Sequence, residues 1–216
     1  MTYVFVALMC VFAGAYIYFE RGGPFSARLF FKAAAGVMLV LVAVSARIEA
    51  DEPYYTLIVA GLSFSLGGDI FLLFAGVSRA YNKAGTAAFI VTHTAYIIAF
   101  CTKAAPAWYD GAFFLLLISA GFFAFKAKGD KKISLTETAH AILLRLMAAR
   151  AFSMLFAQKT SAAFSICAAV GGVLFVLSDM LPAFEKLGNS FGRAAGALGT
   201  AAYYGSQALI ALTVMM

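Results

Sequence analysis

Residues 54–76 read YYTLIVAGLSFSLGGDIFLLFAG, a run in which the single charged side chain is Asp69. Its length suits a helix crossing a hydrocarbon core of about 30 Å. An ionised aspartate deep in such a helix costs about 3 kcal/mol on insertion scales, so something must offset that cost: a water-filled cavity, a hydrogen-bond network or a catalytic task. Residues 171–184, GGVLFVLSDMLPAF, repeat the situation around Asp179. The function is therefore to be sought at these two carboxylates.

Composition excludes an ordinary soluble domain. The hydrophobic fraction is 63%, the charged fraction 12% and the mean hydropathy +0.92. Such a balance indicates a polytopic helical membrane protein. A membrane β-barrel would alternate polar and apolar residues, whereas these segments are apolar on nearly every face. The expected fold class is an all-α transmembrane bundle of eight spans, near 2–19, 28–46, 54–76, 84–103, 107–125, 137–157, 162–182 and 194–215. Pro24, Pro53 and Pro106 fall in the expected loops, and Pro182 ends the seventh span, as suits a residue that cannot continue a helix. No connection is long enough for a soluble domain. Residues 1–216 thus form one membrane domain, and any active site is built from the helices themselves.

Orientation follows from basic residues in the loops. Arg21, Arg28, Lys32, Arg79, Lys83, Lys126, Lys128, Lys131, Lys132, Lys186 and Arg193 flank one end of the bundle; Arg47, Lys103 and Lys159 flank the other. This bias predicts both termini on the non-cytoplasmic side. It also accounts for most of the net charge of +6, which needs no nucleic acid to explain it. The opening MTYVFVALMC lacks the basic n-region of a signal peptide. Cys10, Cys101 and Cys167 have neither metal-ligand spacing nor a disulfide framework and read as small packing residues. Short loops and the lack of targeting signals favour a bacterial inner membrane.

The remaining polar residues gather around the aspartates. Ser65 lies one turn before Asp69, and Gly61, Ser65 and Gly68 form a small-residue stripe that admits another helix closely. Ser178 adjoins Asp179. Residues 85–100, GTAAFIVTHTAYIIAF, put His93 and Tyr96 on one face. His93 has three readings: proton transfer, metal binding, or a bond to a neighbouring carbonyl. The second histidine, His140, has no HExxH spacing to it, so a zinc site would need both histidines and both aspartates. Tyr203 and Gln207 share a side of the last span. In the sixth span, Arg145 is either a fork for a lipid phosphate or the partner of one aspartate, with Arg150 nearby. Asp69 to His93 and Asp179 to Tyr203 are both separated by 24 residues. Two readings fit the shared spacing, a relic of a four-plus-four parallel duplication, as in some transporters, and coincidence; the intervening residues show no obvious similarity, which favours coincidence.

Ser65-Leu66-Gly67-Gly68-Asp69, then Gly85, Phe89, His93, Tyr96 and Phe100, then Ser178-Asp179, then Tyr203 with Gln207, together resemble the YhhN-like family, which includes the lysoplasmalogenases. The resemblance runs from the third span to the last. The sixth span departs from it: a tyrosine is expected near His140, and paired arginines are not typical there. What the resemblance implies is hydrolysis of the vinyl ether of an alkenyl lysophospholipid to a fatty aldehyde and a glycerophospho-head group. It implies no metal and no cofactor. The partners are then the lysophospholipid and the bilayer.

That chemistry suits a carboxyl pair. Protonation of the alkene carbon gives an oxocarbenium ion that water captures, so one carboxyl donates a proton and the other stabilises charge or activates water. Asp69, in the more apolar setting, is the expected acid and Asp179 the carboxylate, with the reverse assignment open. Ser65, His93, Tyr96, Ser178, Tyr203 and Gln207 would support the pair, while Arg145 and His140 would hold phosphate. The competing class is a proton- or cation-coupled transporter using the same aspartates, and a third is a non-catalytic lipid-binding scaffold. A carrier needs polar residues reaching both faces, whereas these collect towards one.

Overall fold

The computed structural model describes residues 1–46, 52–126, 134–182 and 190–216. They form eight α-helices: α1 (Thr2–Phe19), α2 (Phe25–Ser45), α3 (Glu52–Leu73), α4 (Arg79–Lys103), α5 (Trp108–Lys126), α6 (Leu135–Ser153), α7 (Ala162–Met180) and α8 (Ser190–Leu212). Short 3₁₀ turns, Met154–Phe156 and Thr213–Met215, extend α6 and α8. Among the described residues, six helices are long and apolar enough to cross a membrane: α1, α2, α3, α4, α6 with its 3₁₀ turn, and α7. In α5 the apolar stretch found is the shorter Trp108–Ser119. Of the basic loop residues, Arg47, Lys128, Lys131, Lys132 and Lys186 lie outside the described residues, as do the side chains of Lys126 and Arg193.

Capping sets several helix starts, and those of α4 and α6 differ from the hydropathy reading. α4 begins at Arg79 rather than 84 because Ser78 Oγ accepts from Ala80 N at 3.2 Å, carrying the polar RAYNK segment into the helix. α6 starts under a capping box, in which Ser134 and Glu137 satisfy each other's backbone N–H groups. Ser161 Oγ accepts from Phe164 N at 3.1 Å and opens α7. Pro53, expected in a loop, is instead the second residue of α3. In the first turn its missing N–H has no intrahelical partner to lose.

The bundle is apolar outside. On α7, Ile166, Val170, Val173 and Leu177 are exposed at spacings of four, three and four, a stripe at helical period. The opposite face buries Ala168, Gly171, Gly172 and Phe175. Phe64 and Phe71 on α3, and Phe30, Val37 and Val44 on α2, are likewise exposed. Meanwhile Asp69, Thr92, His93, Arg150, Ser206 and Gln207 are buried. Apolar rings outside and ionisable groups inside are the distribution of an integral membrane protein.

Helices meet where side chains are small. A Cβ on Gly85 would come 2.7 Å from Leu72 and 3.0 Å from the Gly68 carbonyl oxygen, while one on Gly68 would come 2.9 Å from the Phe89 ring. The α3–α4 contact therefore tolerates nothing larger than glycine at these positions. Gly85→Val forces the two helices apart and is expected to cost about 1–3 kcal/mol, read as a lower unfolding midpoint of the detergent-purified protein. On the other side, Gly172 closes on Ala148 and Ala151 of α6. Farther from the site, Arg150 ties α6 to its neighbours. Its Nη1 donates to Asp110 Oδ1 at 3.1 Å, and its Nη2 donates to the Phe100 and Ala104 carbonyl oxygens at the end of α4.

Candidate active site

Both aspartates face one cavity of about 290 Å³. Its wall comes from the C-terminal ends of α1, α3 and α7, the N-terminal halves of α2, α4 and α6 and the middle of α8, so it sits at the end of the bundle that carries the more basic loops. Glu20, Lys32, Thr86, Phe89, His140 and Phe175 line it together with Asp69, Asp179, Thr200, Tyr203 and Tyr204.

Asp69 is 4% exposed and fully engaged. Lys32 Nζ stands 3.1 Å from its Oδ1, and Tyr203 OH donates to its Oδ2 at 2.7 Å. Behind Tyr203 runs a relay. Tyr96 OH donates to Gln207 Oε1 at 2.7 Å. Gln207 Nε2 donates to Ser65 Oγ at 2.6 Å and to Tyr203 OH at 3.3 Å. Ser65 Oγ and Tyr203 OH are 2.7 Å apart. Because the Tyr203 proton is given to Asp69, Ser65 must be the donor in that contact. Every proton in the chain thus points towards one carboxyl group, and the donors polarise one another along the way. These are the contacts of a carboxylate, which accepts only.

α3, α4 and α8 are held in register by this relay, since Gln207 is 0% exposed and all its polar atoms have partners within the protein. Gln207→Leu leaves the Tyr96 hydroxyl and Ser65 without their partner. It is expected to cost about 1–3 kcal/mol, and a thermal-unfolding comparison with Tyr96→Phe/Gln207→Leu should recover part of that loss.

Asp179 is set differently. It is exposed to the cavity, and among the described residues it makes no ion pair. The adjacent Ser178 turns its hydroxyl to the Phe175 carbonyl oxygen of its own helix. His93 is not bonded to a backbone carbonyl. Its Nε2 is 3.3 Å from His140 Nε2, the two rings lying 5.1 Å apart between Phe89 and Phe175. One imidazole must donate and the other accept there. His93 is wholly buried and, among the described residues, its Nδ1 has no partner. Among the described residues no three His, Cys, Asp or Glu side chains converge as metal ligands. Arg145 Nη1 donates to Ala141 O, one turn back on α6, at 2.9 Å, and its side chain is not part of the cavity wall.

Three contributors escaped the sequence reading. Lys32 counted there as a loop charge, yet its side chain is only 15% exposed and it supplies the cation beside Asp69. Glu20 accepts from Tyr16 OH at 3.2 Å and from Thr200 Oγ1 at 3.2 Å, joining α1 to α8 at the cavity rim. Tyr204 is 2% exposed and lines the cavity, and among the described residues its buried hydroxyl has no partner. A lysine within two turns of a helix start reads as a side chain reaching for water, so only the folded arrangement exposes its role.

No curated protein and no solved structure matches the chain. The model described as the YhhN family matches residues 27–214. That match runs from α2 through the last turn after α8 and takes in the relay, both aspartates and Lys32. The chain belongs to the YhhN family.

Proposed function

We propose that this protein is an eight-span membrane hydrolase, of the bacterial inner membrane and with both termini outside the cytoplasm. Its reaction is cleavage of the vinyl ether of alkenyl lysophospholipids to a fatty aldehyde and a glycerophospho-head group. The observation that carries the reading is the pair of carboxyls on one cavity, one locked by a cation and a phenol and the other without an ion pair among the described residues. Membership of the YhhN family agrees with it.

The reaction needs a proton at the outer alkene carbon, and Asp179 is the group free to give one. Asp69, bound by Lys32 and Tyr203, is the fixed anion, which reverses the roles expected from sequence. When Asp179 protonates the carbon, the π pair forms the new C–H bond and positive charge spreads over carbon and ether oxygen. Asp69 faces that charge and stabilises it electrostatically. Water then adds to the cationic carbon while Asp69 takes one of its protons. The hemiacetal collapses, its hydroxyl proton passing to the departing glycerol oxygen as the C–O bond breaks. The proton held by Asp69 returns through solvent to Asp179, so no net acid is consumed. An alkenyl chain filling the cavity excludes water from Asp179 and strengthens every electrostatic contact inside. The polar head lies at the basic end of the bundle, where the cavity opens.

Incubation of the detergent-purified protein with an alkenyl lysophospholipid and its ester counterpart tests this. Aldehyde from the first and no fatty acid from the second is the expected outcome. Fatty acid from the ester points to a lipase. No product from either, alongside proton-coupled uptake in proteoliposomes, points to the transporter class.

A further inference from the structure

The cavity lies between two copies of one structural unit. On α3 and α7, Gly61 and Gly171 each stand eight residues before the aspartate. On α4 and α8, Gly85-Thr86-Ala87-Ala88-Phe89 matches Gly199-Thr200-Ala201-Ala202-Tyr203. The contacts repeat along with the residues. Thr92 Oγ1 donates to Gly61 O at 3.0 Å, and Ser206 Oγ donates to Gly171 O at 2.7 Å. Thr92 and Ser206 each follow their GTAA glycine by seven. A Cβ on Gly85 would meet Leu72, and one on Gly199 would meet Pro182, each three residues past its aspartate. On the preceding helices the spacing differs by two residues. Lys32 on α2 stands 37 residues before Asp69, and His140 on α6 stands 39 before Asp179.

In this register the group Asp69–Lys32–Tyr203 has as its counterpart Asp179–His140–Phe89, and all six line the cavity. The copies differ in what they offer the carboxyl. In one, an ammonium and a phenol hold both oxygens. In the other, the phenol is a phenyl ring with nothing to donate, and the imidazole is turned to His93. We propose that His140 and Phe89 are positioning residues that deny Asp179 the ammonium and the phenol that hold Asp69, so that one carboxyl of a duplicated pair carries the transferable proton while its twin is held as the anion. It rests on the acid/base reading of the pair. The duplication by itself would make two equivalent anions; the divergence at these two positions makes an acid and a base.

The test restores the symmetry with His140→Lys, Phe89→Tyr and the double variant. Each is checked by monodisperse elution, so that one misfolded variant leaves the others to decide. On the alkenyl lysophospholipid, His140→Lys/Phe89→Tyr is expected to lose about 10²-fold or more in kcat with KM changed little, since what disappears is a proton donor. His140→Gln, which adds no cation, should lose only a few-fold. Infrared spectroscopy with a saturated alkyl-ether analogue bound, which has no alkene to react, reads the proton without turnover. The wild type should show a protonated-carboxyl band that vanishes in Asp179→Asn, persists in Asp69→Asn and vanishes in the double variant. A band that survives in the double variant, that belongs to Asp69, or that is missing from the wild type overturns the inference. Equal kcat losses in His140→Gln and His140→Lys overturn it too. If the wild type releases no aldehyde, the hydrolase reading fails, and the infrared comparison still decides this one.

Discussion

Asp179→Asn is expected to lower aldehyde release by about 10²–10⁴-fold, the range a positioned general acid supplies, without lowering the unfolding midpoint. Asp179 is exposed and unpaired among the described residues, so its replacement removes a proton donor and no structural contact. Asp69→Asn should be as damaging to turnover but should also destabilise the fold. It leaves the mostly buried Lys32 ammonium without its carboxylate, and breaking such a pair from one side costs about 3–5 kcal/mol. Adding Lys32→Met to Asp69→Asn then restores stability and not activity. Turnover and thermal unfolding measured on the same preparations separate the two aspartates. Equal stability losses in both single variants would contradict their different settings.

The other large effect lies at the far end of the bundle. Arg150 is 3% exposed, and its guanidinium joins Asp110 to the last carbonyls of α4. Asp110 in turn accepts from Ala107 N at 2.6 Å, closing the turn between α4 and α5. Arg150→Met strips Asp110 of its cation and takes the guanidinium donor from the Ala104 carbonyl oxygen, while Phe100 O keeps the Ala104 N–H. The expected loss is about 3–5 kcal/mol, or roughly 10 °C in the unfolding midpoint for a chain of this size. Arg150→Met/Asp110→Leu, which removes both charges, should recover most of it. The kcat of whatever protein remains folded should stay near the wild-type value, because this lock does not touch the cavity.

The helices were legible because lipid imposes a crude requirement, long apolar runs, that the sequence states openly. Their ends were less so: α4 starts under Ser78 within polar residues that no hydropathy reading assigns to a span, and Pro53 sits inside α3. Within the site, Asp69, Ser65, Tyr203 and Gln207 stood out because each is a polar residue in an apolar segment, and they do converge. Lys32 did not stand out, since basic residues near helix ends are commonplace in membrane proteins. The duplication was raised by the sequence and set aside, because it was sought in the wrong register. The equal spacing of Asp69–His93 and Asp179–Tyr203 is a false register. The true counterpart of Tyr203 is Phe89, and the α7–α8 connection is four residues longer than that of α3–α4. The GTAA match sets the right register, and the paired contacts of Thr92 with Gly61 and Ser206 with Gly171 bear it out.

The central claim is that a carboxyl in this cavity protonates an alkene carbon, and the isotope content of the product tests it directly. Hydrolysis of an alkenyl lysophospholipid by the purified protein in heavy water should give aldehyde carrying one solvent-derived deuteron on the carbon next to the carbonyl, with Asp179→Asn giving none above the uncatalysed background. Aldehyde without deuterium at that carbon, or undiminished deuterated aldehyde from Asp179→Asn, would contradict the account.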